Sequence, residues 1–341
     1  MKNKVILFAV LVVAGVLVYK GGYLKSKSEI LPSQKVIQTA MDVVRDKKPT
    51  PVQAAIFYSL VAGDYYHGVY TNKILDNQEK INEVFATTSL QAVLQDVVDQ
   101  DNKNSEGFKM KTGVENWNMT KGWTKEVQKP FSPNGGMMPR FVLDENFTYQ
   151  VPTPPVYGGA EFKAGLAEVK DVASKRTPEQ GALVNFWGGI PGSEGPSGIW
   201  LNRLDFYTKK YNLSDEKYAY AQMVLAESLA DSFMECWKVK FIYQTKRPDM
   251  TDKTITVVQA MANPPFPSYV SGHATISFTA VTVLAQMFPA DKGALFQDAL
   301  DAKNSRLNAG IHFSYDNNEG EKLGRAVGEF VVNKLSLQVV K

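Results

Sequence analysis

The chain has 341 residues, 44% apolar and 21% charged, an ordinary globular composition with room for one large domain or two smaller ones. A formal net charge of +3 excludes the strongly basic footprint of a nucleic-acid binder and a strongly acidic tail. The single cysteine, Cys236, excludes an internal disulfide and any multi-cysteine zinc site.

Lys2 and Lys4 precede an uncharged apolar run from Val5 to Val18. That run is short of the roughly 20 residues of a membrane span and has the length of a signal-peptide core. Residues 1–20 therefore read as a signal peptide or an uncleaved signal anchor. The expectation is an exported protein, periplasmic, cell-surface or secreted, with at most this one membrane anchor. Residues 21–50 read as a polar tether and a first helix. From Pro51 to about Tyr70 the pattern predicts a helix with proline in its first turn. Residues 75–102 form another helical tract, with Leu90, Val93, Leu94 and Val97 at helical spacing.

Residues 105–160 are rich in Gly, Pro, Asn and aromatic side chains without periodicity, and read as long loops. Glu161–Ser174 is helical, and Thr177 and Pro178 open a further helix as N-cap and first residue. Gly189–Gly198 reads as a loop. It is followed by Trp200–Tyr211 and by a long helix capped by Ser214. Two more helices open near Ser271 and Asp291. The last, from about Glu319 to Leu337, is expected to be broken by Gly324 and Gly328. No alternating strand pattern or repeat is present, so the predicted fold is all-α, a helical bundle decorated by long loops.

Three segments carry chemistry. On the long helix Leu225, Leu229, Phe233 and Trp237 form an apolar stripe that Lys240 continues, and a buried ammonium there needs partners. Arg247 follows, held extended by Pro248. Asp231 and Glu235 are candidate partners for these cations. In the second segment Pro264, Pro265 and Pro267 stiffen the approach to Ser271, Gly272 and His273. A helix opening there offers free N–H groups, a positive dipole end and a hydroxyl, which together suit an anion. In the third, Gly310 lets Arg306 and His312 converge despite their spacing. Asp316, four residues after His312, can accept its second ring N–H and fix the tautomer. Three cations, helix-end amides, a hydroxyl and two of the chain's three histidines suit a tetrahedral or trigonal-bipyramidal oxyanion. His67 and Arg325 fall outside this set and read as structural and as solvated or ion-paired.

The pattern resembles the vanadium-dependent haloperoxidases and the related type 2 phosphatidic acid phosphatases, which include bacterial class A acid phosphatases. Lys240, Arg247 and Pro248, then Ser271, Gly272 and His273, then Ser305, Arg306, His312 and Asp316 match their three-part signature. Val270 departs from it, standing where the family has proline. Further likeness from about residue 150 onward favours the haloperoxidase branch: "PPFPSYVSGHAT", "ECWKVKFIYQTKRP", "RTPEQ", "NFWGG" and "HFSYDNNEGEKLGRAVGE". The resemblance implies a catalytic core over 151–341, with 51–150 covering the site. It implies vanadate as cofactor, with His312 as its ligand held by Asp316. Lys240, Arg247, Arg306, Ser271 and Gly272 would bind the oxyanion, Lys240 would polarise peroxide and His273 would manage protons. Trp237 and Phe266 would line the halide pocket, Phe266 at a position where bromoperoxidases tend to carry histidine and chloroperoxidases phenylalanine. Peroxide and halide are then the substrates. The alternative is an exported acid phosphatase without a cofactor, cleaving phosphomonoesters through a phosphohistidine at His312. A non-catalytic oxyanion binder is the third reading.

Overall fold

A computed structural model describes residues 30–113, 115–117, 130–261 and 264–340. The apolar segment at 1–20 and most of the tether lie outside the described residues. The chain divides into Met1–Pro32, of which only the last three residues are described, and a larger unit, Ser33–Lys341. Among the described residues there are twelve α-helices and no strand, only two isolated bridges. None of these helices is long and apolar enough to cross a membrane.

Helix α1 spans Pro32–Lys47 and α2 spans Pro51–Tyr66. Thr50 caps α2 in a capping box with Gln53, and Pro51 takes the first position, where no N–H is needed. After Tyr66 the chain tightens into a π-turn over His67–Thr71. The tract at 75–102 divides into α3 (Gln78–Val84), capped by Asn77, and α4 (Thr87–Asn104). Residues 105–159 hold only one short 3-10 turn among those described, as the missing periodicity predicts. Next come α5 (Ala160–Ser174), α6 (Pro178–Phe186) and α7 (Gly195–Tyr211). Helix α7 starts five residues before Trp200 because Pro196 suits a first turn.

Helix α8, Asp215–Tyr243, is buried around most of its circumference, and α10, Gly272–Met287, even more completely. Between them lies the short α9, Pro248–Thr251; α11 (Lys292–Asn308) and α12 (Ser314–Lys334) complete the chain. Helix α10 is the axis of the bundle. It packs most extensively on α12, then on α11 and α8, while α2 lies along α8.

Helix α12 corrects one expectation, since Gly324 and Gly328 do not break it. Their role is contact. A Cβ on Gly324 would lie 2.1 Å from the Thr275 carbonyl oxygen, and one on Gly320 would lie 2.7 Å from that of Ser271. Glycines every fourth residue bring the α12 backbone against α10. The Thr279 hydroxyl seals the contact by donating to the Gly324 carbonyl at 2.9 Å. Close backbone approach here outweighs the roughly 1 kcal/mol that glycine costs a helix interior.

Candidate active site

Trp237 and Lys240 lie on the last turns of α8, which stops at Gln244 in the left-handed conformation. The turn carries Arg247 into the N-cap position of α9, extended as Pro248 requires. The Arg247 guanidinium is fully buried. It donates to the carbonyls of Phe266, Pro267 and Ile311 and reaches His312 Nε2 at 3.2 Å. An arginine only donates, so Nε2 of His312 is the acceptor. The other ring nitrogen, Nδ1, lies 2.9 Å from Asp316 Oδ2 and donates to it. The tautomer is thereby fixed, with the Nε2 lone pair toward the cavity side.

Asp316 is wholly buried at the start of α12. Its Oδ2 also accepts from the Ser268 hydroxyl and from the Phe313 amide at 3.2 Å. Ser268 is buried and stands 3.3 Å from His312 Nδ1, so a hydroxyl, a carboxylate and an imidazole form one cluster. Gly310, at φ +80°, makes the reversal that brings Arg306 and His312 together. Arg306 donates to Ser305 Oγ and to the carbonyls of Val184 and Trp187, and it approaches the Met261 sulfur at 3.8 Å.

Ser271 is the N-cap of α10. Its hydroxyl accepts from the Ala274 amide at 3.4 Å and its own amide donates to the Asp316 carbonyl at 3.0 Å. His273 lies in the first turn, near the Trp187 backbone. Its Nε2 is buried without a partner. A buried ring nitrogen of this kind normally has one, so a bound group is the natural complement.

One cavity gathers these groups. Its wall includes Trp237, Arg247, Phe266, Gly272, His273, Arg306 and His312, together with Pro51, Phe233 and Met261. Its volume is about 30 Å³, against the 10–15 Å³ one water needs, so it suits a small polyatomic species. The Trp237 and Phe266 rings meet at 4.9 Å, tilted by 44°, with the Arg247 guanidinium 5.1 Å from the Phe266 ring. The region before residue 150 reaches the site through Pro51 and through Phe131, whose carbonyl accepts from the Trp237 indole at 3.1 Å.

Lys240 and Ser271 do not line this cavity. The Lys240 ammonium donates to the carbonyls of Pro267, Ser268 and Val270 at 2.9, 2.8 and 2.5 Å. All three of its donors are taken, so it braces the 267–270 turn, in which the Tyr269–Val270 peptide is cis. Asp231 and Glu235 do not pair with the site cations either. Asp231 accepts the amides of Phe141, Val142 and Leu143, and Glu235 pairs with Arg140 and Lys238. His67 is exposed beside Thr71, and Arg325 pairs with Glu321 over the rings of Phe278 and Phe296.

Ser268 and Met261 were not singled out from sequence. Ser268 stands three residues before the Ser271 cap, where its spacing alone looks like loop chemistry. Met261 carries no signal at all, because only the tertiary fold sets it beside Arg306.

The electrostatics are those of a site built for an anion. Neither Arg247 nor Arg306 has a carboxylate within 4 Å among the described residues. Burial draws Arg247 down to about 10 and Arg306 down to about 9. Burial also pushes Lys240 down and Asp316 up. Both histidines fall well below the ordinary imidazole range, first through burial. For His273 the next cause is the charge of Arg306; for His312 it is that of Arg247. Neutral imidazoles beside fixed cations leave a net positive hollow, and unpaired buried charge is costly until an anion enters.

A scan against protein-family models finds no match, and no curated protein matches in sequence. Solved structures do match. The chain is similar to a bacterial vanadium-dependent iodoperoxidase, with 20% identity, 92% of this chain and 98% of that one covered, and a TM-score of 0.66. It is similar to a bacterial vanadium-dependent chloroperoxidase in its apo form, at 11% identity over 91% and 96% with a TM-score of 0.56. The holo form matches at 12% identity over 94% and 96%, with a TM-score of 0.53. The chain therefore has the all-α fold of bacterial vanadium-dependent haloperoxidases.

Proposed function

We propose that this protein is an exported, vanadate-dependent haloperoxidase that oxidises halide with peroxide. The observation that carries the reading is the convergence on one small cavity of Arg247, Arg306, the N-terminus of α10 and two neutral histidines, with no carboxylate among the described residues paired to either arginine. The residues present fit a tetrahedral oxyanion. Guanidinium groups and helix-end amides match its charged oxygens, and the unpartnered His273 Nε2 supplies one more polar contact.

Arg247, Arg306 and the Gly272 amide would hold vanadate, with His312 Nε2 as the nitrogen ligand. Bound vanadate supplies a Lewis-acid centre that activates peroxide toward halide without changing oxidation state. Asp316, held by Ser268, keeps His312 in the tautomer whose Nε2 carries a lone pair, which accepts from Arg247 here and would pass to the bound anion as Arg247 turns its N–H to an oxygen. His273, on the cavity wall, would offer Nε2 as the proton-accepting atom. Lys240 acts from behind, its charge on the turn that carries Ser268 and Ser271. Trp237 and Phe266 shield the cavity from bulk water and give a polarizable wall for halide.

The same geometry suits phosphomonoester hydrolysis, with His312 Nε2 as nucleophile and His273 as the acid to the leaving alcohol. Two assays on one preparation separate the readings. Loaded with orthovanadate, the protein is expected to halogenate a phenolic dye with peroxide and bromide or iodide, and His312→Ala is expected to abolish this. Vanadate-inhibited hydrolysis of a chromogenic phosphomonoester, with no halogenation, would replace the haloperoxidase reading with the phosphatase one. Binding of the anion with neither activity would leave an oxyanion binder.

A further inference from the structure

Met261 ends the short 3-10 turn Gln259–Met261 and is only 2% exposed. It lies in an apolar cluster with Val184, Ala309 and Ile311, and its side chain lines the cavity. Its sulfur is the hydrogen-bond partner of Arg306 Nη1, at 3.8 Å. A thioether is a weak acceptor, so of the engaged Arg306 donors this N–H is the one most easily released to an incoming anion. The same sulfur is a soft, oxidisable atom on the wall of a chamber where, on the reading above, hypohalous acid forms.

We propose that Met261 is an oxidation site through which the protein limits its own turnover. The inference rests on the haloperoxidase reading, which supplies the oxidant. The sulfur lone pair takes the halogen from hypohalous acid and hydroxide is released. Water then attacks the halosulfonium sulfur and halide departs. The net products are the sulfoxide, one halide and one proton, with sulfur oxidised by two electrons. The sulfoxide oxygen is a strong acceptor beside Arg306 Nη1. It holds the donor that the thioether would have yielded, and affinity for the oxyanion falls.

Met137 provides an internal control, because it is 71% exposed and meets whatever oxidant is in bulk solution. The full-length protein is turned over with orthovanadate, peroxide and bromide, with excess free methionine in solution to scavenge escaped oxidant. Peptide mass spectrometry then measures added oxygen at both residues. Sulfoxide is expected at Met261 at about ten times its level at Met137. Reagent hypobromite added from outside with the same scavenger should modify neither. The oxidised protein should bind inorganic phosphate about five-fold more weakly. Met261→Leu should lose a smaller fraction of its own initial rate per turnover than the wild type.

Halide oxidation that proceeds while Met261 stays a thioether would overturn this inference and leave the haloperoxidase reading intact. Oxidation of Met137 equal to that of Met261 would do the same, since it would place the oxidant in bulk. Absence of halide oxidation would refute both.

Discussion

Gly324→Ala is the sharpest test of how the bundle presents its cavity. The added methyl carbon would lie 2.1 Å from the Thr275 carbonyl oxygen, 3.0 Å from its carbon and 3.1 Å from the Thr279 nitrogen. All three are backbone atoms of α10, so no rotamer change relieves the contact. Helices α10 and α12 must move apart by about 1 Å, which places the cost near the top of the 1–3 kcal/mol range for overpacking. The shift also loosens the hydrogen bond from Thr279 to Gly324 and moves the α10 N-terminus that bears Gly272 and His273. Two further alanines grade the effect. At Gly328 the first obstacles are Thr282 Cβ at 2.6 Å, which is fixed, and Cγ2 at 2.9 Å, which can rotate; the fixed contact is 0.5 Å longer than at Gly324, so the cost should be smaller. At Gly181, within α6, nothing lies within 4 Å, and alanine should stabilise by about 0.5–1 kcal/mol. Urea unfolding of the three variants measures the series, and phosphate titration measures the site. A Gly324→Ala protein as stable as the wild type, or less damaged than Gly328→Ala, would refute the argument that these glycines exist for close approach.

Arg306→Gln should weaken phosphate and vanadate binding by about 2 kcal/mol or more, roughly 30-fold, since a charged donor at a buried anion is lost; calorimetric titration checks this, and unchanged affinity would remove Arg306 from the site. Ser268→Ala should destabilise the fold by about 1.5 kcal/mol, because Asp316 loses a donor to its charged form. It should also move the acid limb of anion binding to higher pH, and an unmoved limb would reduce Ser268 to packing. The two buried neutral histidines make the empty protein acid-sensitive. Their folded values lie below the unfolded one, so the unfolded chain gains protons first as pH falls through about 6.5, and stability drops. Each histidine should contribute about 1.4 kcal/mol of loss between pH 7.5 and 5.5, partly offset by Asp316, whose raised value works the other way. His273→Gln should remove one such share, seen as a shallower dependence of unfolding free energy on pH; an unchanged slope would mean that His273 is not buried neutral.

The chemistry-bearing segments were readable because their geometry is local. Pro248 extends Arg247, Ser271 caps α10, Gly310 turns the chain, and the four-residue step from His312 to Asp316 needs no distant element. First-turn prolines likewise exposed α2 and α6, and an apolar stripe exposed α8. What was hidden depends on contacts between remote segments. Lys240 reads as a buried ammonium in need of an anionic partner, yet three carbonyls of a turn some thirty residues on absorb its donors. Asp231 and Glu235 share the long helix with Lys240, yet loop 140–143, which has no periodicity to predict it, and Lys238 supply their partners. Gly324 and Gly328 read as breakers because propensity alone carries no information about the helix packed against them.

The central claim is that one buried cavity binds one tetrahedral oxyanion through Arg247, Arg306 and His312. Isothermal titration of the full-length protein with orthovanadate measures it most directly, repeated with phosphate as competitor and with His312→Ala. The account predicts a single site per chain, competed by phosphate, and lost or greatly weakened in the variant. Absence of saturable binding, or binding that His312→Ala leaves untouched, would contradict it.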